Sequence, residues 1–130
     1  MKLHPNIAIV RRFYHAFISR DTTTIWTIAG HDLVLHMPGR SKWAGVYTGR
    51  EQILDLFYRL GRDAEGSVRT ELHDIVGGDT HVVGLHRATA TRGGNALDLN
   101  GTAVCHIADG TITEIWLYWA SQKTFDEFWS

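Results

Sequence analysis

The spacing of apolar residues changes once along this chain of 130 residues, and the change restricts the folds it can adopt. Before Gly66, apolar side chains mostly recur every three or four residues, as they do on amphipathic helices. After Gly66 they alternate with polar ones, as they do on strands. Turn signals separate the alternating segments, which predicts antiparallel hairpins. Helices first and hairpins afterwards predict an α+β fold, with helices packed on one face of a sheet.

The first half of the chain supplies three predicted helices and one strand. Asp21 and Thr48 can begin helices because their side chains satisfy free backbone N–H groups, and Thr48 and Glu51 have the spacing of a capping box. Pro38 and Gly39 end the strand. The predicted elements are a helix over about 5–20, a short helix after Asp21, a strand over 32–37 and a helix from Thr48 to Gly61.

The alternating half supplies the rest of the sheet. Breaks occur at Gly77-Gly78-Asp79, at Arg92-Gly93-Gly94-Asn95 and at Asp109-Gly110, and Asp-Gly is a strong signal for a two-residue hairpin turn. Ser121 can begin a last short helix. With predicted strands at about 67–76, 80–91, 96–108 and 111–119, we expect a cone-like, curved antiparallel β-sheet of about five strands wrapped around three to four helices.

Length, charge and cysteine content restrict the classes of function. A chain of 130 residues predicts a single domain over 1–130. The net charge of -1, without a Lys/Arg run, argues against nucleic-acid and membrane partners. The single cysteine, Cys105, and the absence of a long apolar stretch near the start predict a cytoplasmic protein. The His and Cys spacings fit no metal site, and no glycine-rich loop has phosphate-binding spacing, so no cofactor is expected.

The last predicted strand is apolar on both of its faces. Trp116 and Tyr118 share one face, while Ile115, Leu117 and Trp119 share the other. A sheet with helices on one side is normally polar on its second side. A second apolar face therefore predicts a cover, and a second copy of the chain would make a homodimer through Trp116 and Tyr118. The alternative is that a loop covers both aromatic side chains.

Six short motifs follow one another along nearly the whole chain. They are Val10-Arg11-Arg12-Phe13-Tyr14 with Asp21, His36-Met37-Pro38-Gly39, Tyr47-Thr48-Gly49-Arg50, Leu72-His73-Asp74, Asp109-Gly110-Thr111-Ile112 and Glu114-Ile115-Trp116. In order and spacing they resemble the nuclear transport factor 2-like superfamily, in its SnoaL-like and ketosteroid isomerase-like branch. The resemblance implies a cone-like α+β fold, a deep apolar pocket and dimers through the sheet. Its members include isomerases, polyketide cyclases, epoxide hydrolases, dehydratases and binding proteins, so the fold alone does not give the function.

The resemblance to ketosteroid isomerase implies specific catalytic residues. Ketosteroid isomerase uses a carboxylate base with an oxyanion hole made of a Tyr and a protonated Asp. The resemblance carries these roles to Met37, to Phe13 and to a position near Cys105, and none of them has the required chemistry. No intact ketosteroid isomerase set is therefore expected. Tyr14, next to Phe13, and His36, whose side chain titrates near neutrality, remain as candidate catalytic residues.

Aromatic and apolar side chains dominate the predicted pocket wall. Trp43 lies in the loop before the third helix, where it could act as a lid. Arg87 shares the assumed pocket side of its strand, where it would pair with Glu71 or bind an anionic ligand. A bulge would instead turn Arg87 to solvent, and a one-residue slip would exchange it with His86. The predicted ligand-binding residues are Phe13, Met37, Trp43, Phe57, Tyr58, Leu85, Arg87, Cys105 and Trp119.

Three functions remain open from the sequence. The first is a binding protein for a small hydrophobic or weakly anionic ligand in a mainly apolar pocket. The second is an isomerase, a polyketide-cyclase-like enzyme or another lyase- or hydrolase-type enzyme that acts on a small hydrophobic carbonyl compound through His36 or Tyr14. The third is a structural or adaptor role. An open cavity with His36 beside Tyr14 or Tyr58 favours the enzyme, and a cavity closed by Trp43 and Trp119 favours the adaptor.

Overall fold

A computed structural model describes residues 4–130, which form four helices and six strands. The α+β class, with helices packed on a curved sheet, is confirmed. Within this range, none of the helices has both the length and the apolar character that crossing a membrane requires. The helices are α1 (Pro5–Ser19), α2 (Thr22–Ile28), α3 (Arg50–Asp63) and α4 (Gln122–Phe128). The strands are β1 (Ala29–Met37), β2 (Gly45–Thr48), β3 (Arg69–Gly77), β4 (His81–Arg92), β5 (Asn95–Ala108) and β6 (Thr111–Trp119).

All six strands belong to one sheet, in the order β2-β1-β6-β5-β4-β3. Neighbouring strands are antiparallel except β1 and β6, which run parallel and place Leu35 beside Ile115. The sheet is therefore mixed and has one strand more than the sequence predicted. The additional strand, β2, has only four residues and none of them is buried, so no hydrophobic alternation marks it. The β1–β6 pairing joins distant parts of the chain, which local hairpin signals do not reveal.

Two-residue turns set the register of the long hairpins. The turns at Asp109-Gly110 and at Gly93-Gly94 have positive φ at both positions, 51° and 77° in the first and 54° and 82° in the second. Turns of this kind match the right-handed twist of antiparallel strands. The β4–β5 ladder has no bulge and places Leu99 opposite Ala88. Because Leu99 belongs to the buried core, Ala88 faces the same side, and so does His86 two residues along β4.

The start of α3 differs from the predicted capping box. Gly49 is the N-cap residue and makes no side-chain cap hydrogen bond; its φ is 91°, a conformation that glycine adopts without strain. Thr48 ends strand β2, and its N–H donates to Oε1 of Gln52 at 2.7 Å. The helix also continues through Gly61 to Asp63. The pairing of Thr48 in the sheet explains why it does not serve as the cap.

The sheet has an inner face, packed against the helices, and an outer face that the helices leave uncovered. The inner face contains the largest fully buried strand residues, among them Leu33, Leu35 and Ile112. The outer sheet face, as we use the term, consists of two rows across three strands, Val83, Val104 and Trp116 in one and Leu85, Thr102 and Tyr118 in the other. Tyr118 is 54% exposed. The inner face positions the candidate site described next.

Candidate functional site

A cavity of about 840 Å³ lies between the inner face of the sheet and the helices. Its wall is mainly aliphatic and aromatic, and its volume falls within the roughly 300–1,000 Å³ that is usual for small-molecule sites. The cavity is open, and its own aromatic side chains do not fill it. The sequence-predicted residues that line it are Phe13, Tyr14, Met37, Phe57, Tyr58, Cys105 and Trp119.

A hydrogen-bonded pair of polar side chains is built into this wall. The hydroxyl oxygen of Tyr14 and Nδ1 of His86 are 2.6 Å apart. Both residues are buried, with exposed fractions of 6% for Tyr14 and 7% for His86, and both line the cavity. Tyr14 comes from the buried side of α1 and His86 from the inner side of β4. The pair therefore joins a helix to the sheet and forms a polar spot in an apolar wall.

A glycine in the middle of β4 makes room for the Tyr14 ring. Gly84 lies two residues before His86, on the same side of the strand. A Cβ atom at position 84 would lie 2.5 Å from the Tyr14 hydroxyl oxygen and 2.6 Å from Cζ. Atoms do not approach this closely, so any larger residue would displace the ring. The close approach of Tyr14 thus accounts for a glycine inside a long strand.

Burial keeps the three titratable groups around this spot neutral at pH 7. It lowers the pKa of His86 from 6.5 to about 4. It also raises the pKa of Tyr14, with a smaller contribution in the same direction from Cys105, and it raises the pKa of the Cys105 thiol to about 12. Desolvation disfavours the charged form in each case. Cys105 is therefore a thiol without nucleophilic character, and the pair consists of a neutral phenol and a neutral imidazole.

The proton in the Tyr14–His86 hydrogen bond has two possible positions. In one arrangement Tyr14 donates to Nδ1, and His86 carries its N–H on Nε2. In the other, the Nδ1–H of His86 donates to the Tyr14 oxygen. The hydroxyl of Tyr14 is then free to donate to a ligand, and Nε2 is free to accept a proton. The second arrangement leaves a hydrogen-bond donor on Tyr14 and a base, Nε2, on the far side of the imidazole ring.

Two indole N–H groups accompany the pair. The ring of Trp119 packs edge-on against His86, with centroids 5.6 Å apart, and stacks on Phe125 at 4.6 Å. Within residues 4–130, the buried Nε1 atoms of Trp119 and Trp129 have no hydrogen-bond partner, and both residues line the cavity. A buried donor without an acceptor costs about 1–3 kcal/mol.

His36, a candidate catalytic residue from its sequence, lies outside the cavity. Its Nε2 is 2.5 Å from Oε2 of Glu114, and its ring stacks on Trp116 with centroids 5.3 Å apart. Its neighbours Leu35 and Met37 line the cavity. Because adjacent strand residues point to opposite faces, His36 belongs to the outer side of the sheet. This placement corrects the choice of His36 as a candidate catalytic residue of the cavity, since the sheet separates its side chain from Tyr14.

Leu85 and Arg87 also lie on the outer side of the sheet, not in the cavity as predicted. The assumed register turned the odd-numbered residues of β4 inward, whereas the two-residue turn after β4 turns the even-numbered ones inward, His86 among them. Arg87 forms a bidentate pair with Asp98 at 2.7 and 2.6 Å and lies 3.6 Å from a carboxylate oxygen of Glu71. Arg87 therefore has protein partners on the side of the sheet away from the cavity.

Trp43 is a core residue and not a lid. It is 6% exposed, packs edge-on against Trp129 with centroids 5.8 Å apart, and does not line the cavity. Its carbonyl oxygen accepts a hydrogen bond from the Tyr47 hydroxyl at 2.7 Å, which fixes the loop. The predicted lid is thus part of the packing beneath the cavity wall.

The site residues predicted from the sequence omit two kinds of residue that line the cavity. One is His86, whose inward direction follows from counting back from a two-residue turn at Gly93-Gly94. The other is a group of exposed cations, Arg20, Arg62 and Arg69, for which no sequence pattern gives a signal. In the described part of the chain, no Asp or Glu side chain lines the cavity. Nor do three or more His, Cys, Asp or Glu side chains of residues 4–130 come together where they could hold a metal ion.

Comparisons with known proteins agree with the fold. The sequence profile of the SnoaL-like domain matches residues 10–115. An uncharacterized protein of Mycobacterium tuberculosis is 25% identical over 126 residues, which are 96% of each chain. The structure of Bal32a, from a soil-derived mobile gene cassette, is 35% identical with a TM-score of 0.93 and 97% of both chains covered. A candidate polyketide cyclase from Xanthomonas campestris shares the fold, at 20% identity and a TM-score of 0.76 over 97% of both chains.

The lowered pKa of His86 predicts a loss of stability in mild acid. Unfolding restores the ordinary value of 6.5, so between pH 6.5 and about 4 the unfolded chain binds the proton more readily than the folded one. The free energy of unfolding therefore falls as the pH falls. From pH 7 to pH 5 we expect His86 to account for a decrease of about 2 kcal/mol.

Urea unfolding at pH 7 and at pH 5 measures this effect. The variant His86→Gln should show a smaller decrease than the original chain, and His15→Gln, which changes an exposed histidine, should keep the full decrease. Carboxylates whose pKa values are lowered, such as Asp63 and Asp98, remain ionised at pH 5 and above. They therefore do not contribute to the change in the free energy of unfolding between pH 7 and pH 5. An equal decrease in the original chain and in His86→Gln would contradict the prediction.

Proposed function

The chain belongs to the SnoaL-like family, and from this premise we propose that it binds a small, mainly apolar carbonyl compound in the cavity. The observation that carries the proposal is the buried Tyr14–His86 pair in a mainly apolar wall. Apolar surroundings with a few placed polar groups are the usual design of small-molecule sites. A carbonyl oxygen of the ligand accepts a hydrogen bond from Tyr14.

Binding of 2-acetonaphthone, a neutral aromatic ketone, tests this proposal by titration calorimetry. Ala103 lines the cavity on β5, so Ala103→Phe puts a ring into the space that the ketone needs and should weaken binding about tenfold or more. Ala108→Phe is the matched control, because Ala108 lies at the end of the same strand and does not line the cavity. The proposal fails if 2-acetonaphthone does not bind, or if both variants bind it as the original chain does.

A second function, proton transfer on the bound compound, follows from the chemistry of the pair. With Nδ1–H of His86 donating to Tyr14, Nε2 takes a proton from the carbon next to the carbonyl group, and the C–H electron pair becomes the enolate. The Tyr14 hydroxyl stabilises the oxygen that gains charge. Where a C=C bond of the substrate is conjugated with the enolate, return of the proton from Nε2 to the far carbon of that dienolate completes an isomerisation. Attack of the enolate carbon on a second carbonyl group of the same molecule would instead close a ring, with Nε2 returning its proton to the new alkoxide.

The lowered pKa of His86 restricts this chemistry to acidified C–H bonds. An imidazole whose pKa is about 4 is neutral and ready to accept a proton at pH 7, but it is a weak base. The enolate that it forms must therefore be stabilised within the substrate, for example by an adjacent aromatic ring or a second carbonyl group, as well as by Tyr14. Simple ketones are poor substrates on this argument, and aryl or dicarbonyl compounds are better ones.

Exchange of the benzylic C–H protons of 2-tetralone for deuterium, followed by NMR in D₂O, tests the second function. The original chain should accelerate the exchange, and His86→Gln and Tyr14→Phe should each lose about 10²–10⁴-fold of the catalysed rate. The comparison variant is His36→Gln, whose histidine lies across the sheet from the cavity and should leave the rate unchanged. Catalysis that survives in His86→Gln, or that disappears in His36→Gln, would rule out this mechanism.

We also propose that a second copy of the chain covers the outer sheet face. Trp116 lies between Val104 and the stacked ring of His36, and its neighbour in the next row, Tyr118, is 54% exposed. Exposed aromatic side chains that continue an apolar surface are typical of an interface between subunits. A two-fold arrangement would bring the same rows of both copies together.

Sedimentation of the Trp116→Glu variant tests the dimer. A carboxylate at the centre of the apolar rows would be buried without a partner, so the variant should sediment as a monomer while the original chain sediments as a dimer. Trp26→Glu provides the comparison, because Trp26 is a partly exposed aromatic residue on α2, away from this face, and its change should leave a dimer. A dimeric Trp116→Glu variant would contradict the proposal.

A further inference from the structure

The exposed residues of the cavity lining together form what we call the mouth. The deep lining residues are buried, whereas the exposed ones come from the end of α1 and the start of α2, from α3, and from the segment that leads into β3. This segment also carries the backbone turn at Gly66. The exposed residues of the mouth are Ile18, Arg20, Thr22, Tyr58, Arg62, Gly66 and Arg69.

Three of these residues are arginines, and within residues 4–130 no carboxylate lies within 4.0 Å of their guanidinium groups. Arg62 lies over the ring of Tyr58, 5.8 Å from its centroid. Arg69 donates to the carbonyl oxygens of Gly66 and Val68, both at 2.9 Å, which holds its side chain at the edge of the mouth. Positive charge therefore accumulates at the mouth of a chain whose formal net charge is -1.

The acidic residues next to these arginines in the sequence are engaged elsewhere. Asp21, which follows Arg20, accepts hydrogen bonds from the Thr24 N–H at 3.1 Å and from the Thr24 hydroxyl at 2.6 Å. Asp63, which follows Arg62, is paired with Lys42 at 2.8 Å and with Arg92 at 3.1 Å. The arginines at the mouth thus keep their charge available to an incoming anion.

We propose that the mouth selects carboxylates, so that the ligand is an apolar carbonyl compound with a carboxylate group. Its apolar body and carbonyl group occupy the cavity, and its carboxylate stays at the mouth near Arg20, Arg62 and Arg69. Arginine suits this role because its planar guanidinium group binds carboxylates through two parallel hydrogen bonds. The exposed position avoids the cost of burying a charge. This inference rests on the proposed binding function and adds the chemical class of the ligand to it.

Three naphthalene compounds separate this inference from the function on which it rests. Naphthalene-2-carboxylate is an anion at pH 7, 2-naphthamide is its neutral near-isostere, and 2-acetonaphthone is the ketone used above. At about 0.05 M salt the carboxylate should bind roughly fivefold more tightly than the amide, as expected for partly exposed ion pairs. At about 0.5 M salt most of this preference should disappear, because exposed charges are screened.

The triple variant Arg20→Gln, Arg62→Gln and Arg69→Gln should lose the preference for the carboxylate and still bind 2-naphthamide as the original chain does, which shows that its cavity is intact. Arg59→Gln removes a charge from the same helix as Arg62, but Arg59 is paired with Asp55 at 2.9 Å and lies outside the cavity, so this control keeps the preference.

Two results overturn the inference. Equal affinities for the carboxylate and the amide, or a preference that the triple variant retains, would exclude a selective mouth and leave the binding function standing. Failure of all three naphthalene compounds to bind would remove the binding function itself, and the inference with it.

Discussion

The direction of every side chain on β4 depends on a turn of two residues, Gly93-Gly94. Both glycines adopt positive φ, which permits the tight connection between β4 and β5. A turn with one residue more would shift the pairing by one position and reverse the two sides of β4. Arg87 would then enter the apolar cavity without Asp98, and burying an unpaired guanidinium group is strongly unfavourable. The observed register puts the neutral imidazole of His86 in the cavity and leaves the charged guanidinium group of Arg87 outside it, beside Asp98.

The alternation of side chains between the two faces of a strand also explains which parts of the site the sequence could predict. Tyr14 is predicted as the neighbour of Phe13, to which the family resemblance carries a catalytic role, whereas Met37 and Cys105 lie on the buried sides of β1 and β5. His36 and Met37 are adjacent in one strand, so they cannot both face the cavity, and only Met37 does. The α+β class and the hairpin turns were predictable because they depend on local signals. The parallel pairing of β1 with β6 and the gathering of arginines at one mouth depend on tertiary packing.

Charge is distributed unevenly from the mouth of the cavity to its interior. The mouth carries Arg20, Arg62 and Arg69, where water can solvate the guanidinium groups. Farther in, the polar groups of the wall include the phenol of Tyr14, the imidazole of His86 and the indole of Trp119, all of them neutral at pH 7. The low local dielectric constant of the apolar wall strengthens each hydrogen bond that these groups make to a ligand. A molecule with an anionic end and a neutral carbonyl end would fit this arrangement in one orientation only.

The Tyr14–His86 pair lowers the stability of the fold. It places an imidazole where burial lowers its pKa to about 4, which makes the fold sensitive to acid. It also requires glycine at position 84, and a glycine inside a strand weakens that strand. Phenylalanine and leucine at positions 14 and 86 would leave no polar atoms to satisfy and would fill space in the wall. Departures of this kind, located where a polar pair borders an open cavity, are expected at sites that bind or transform a ligand.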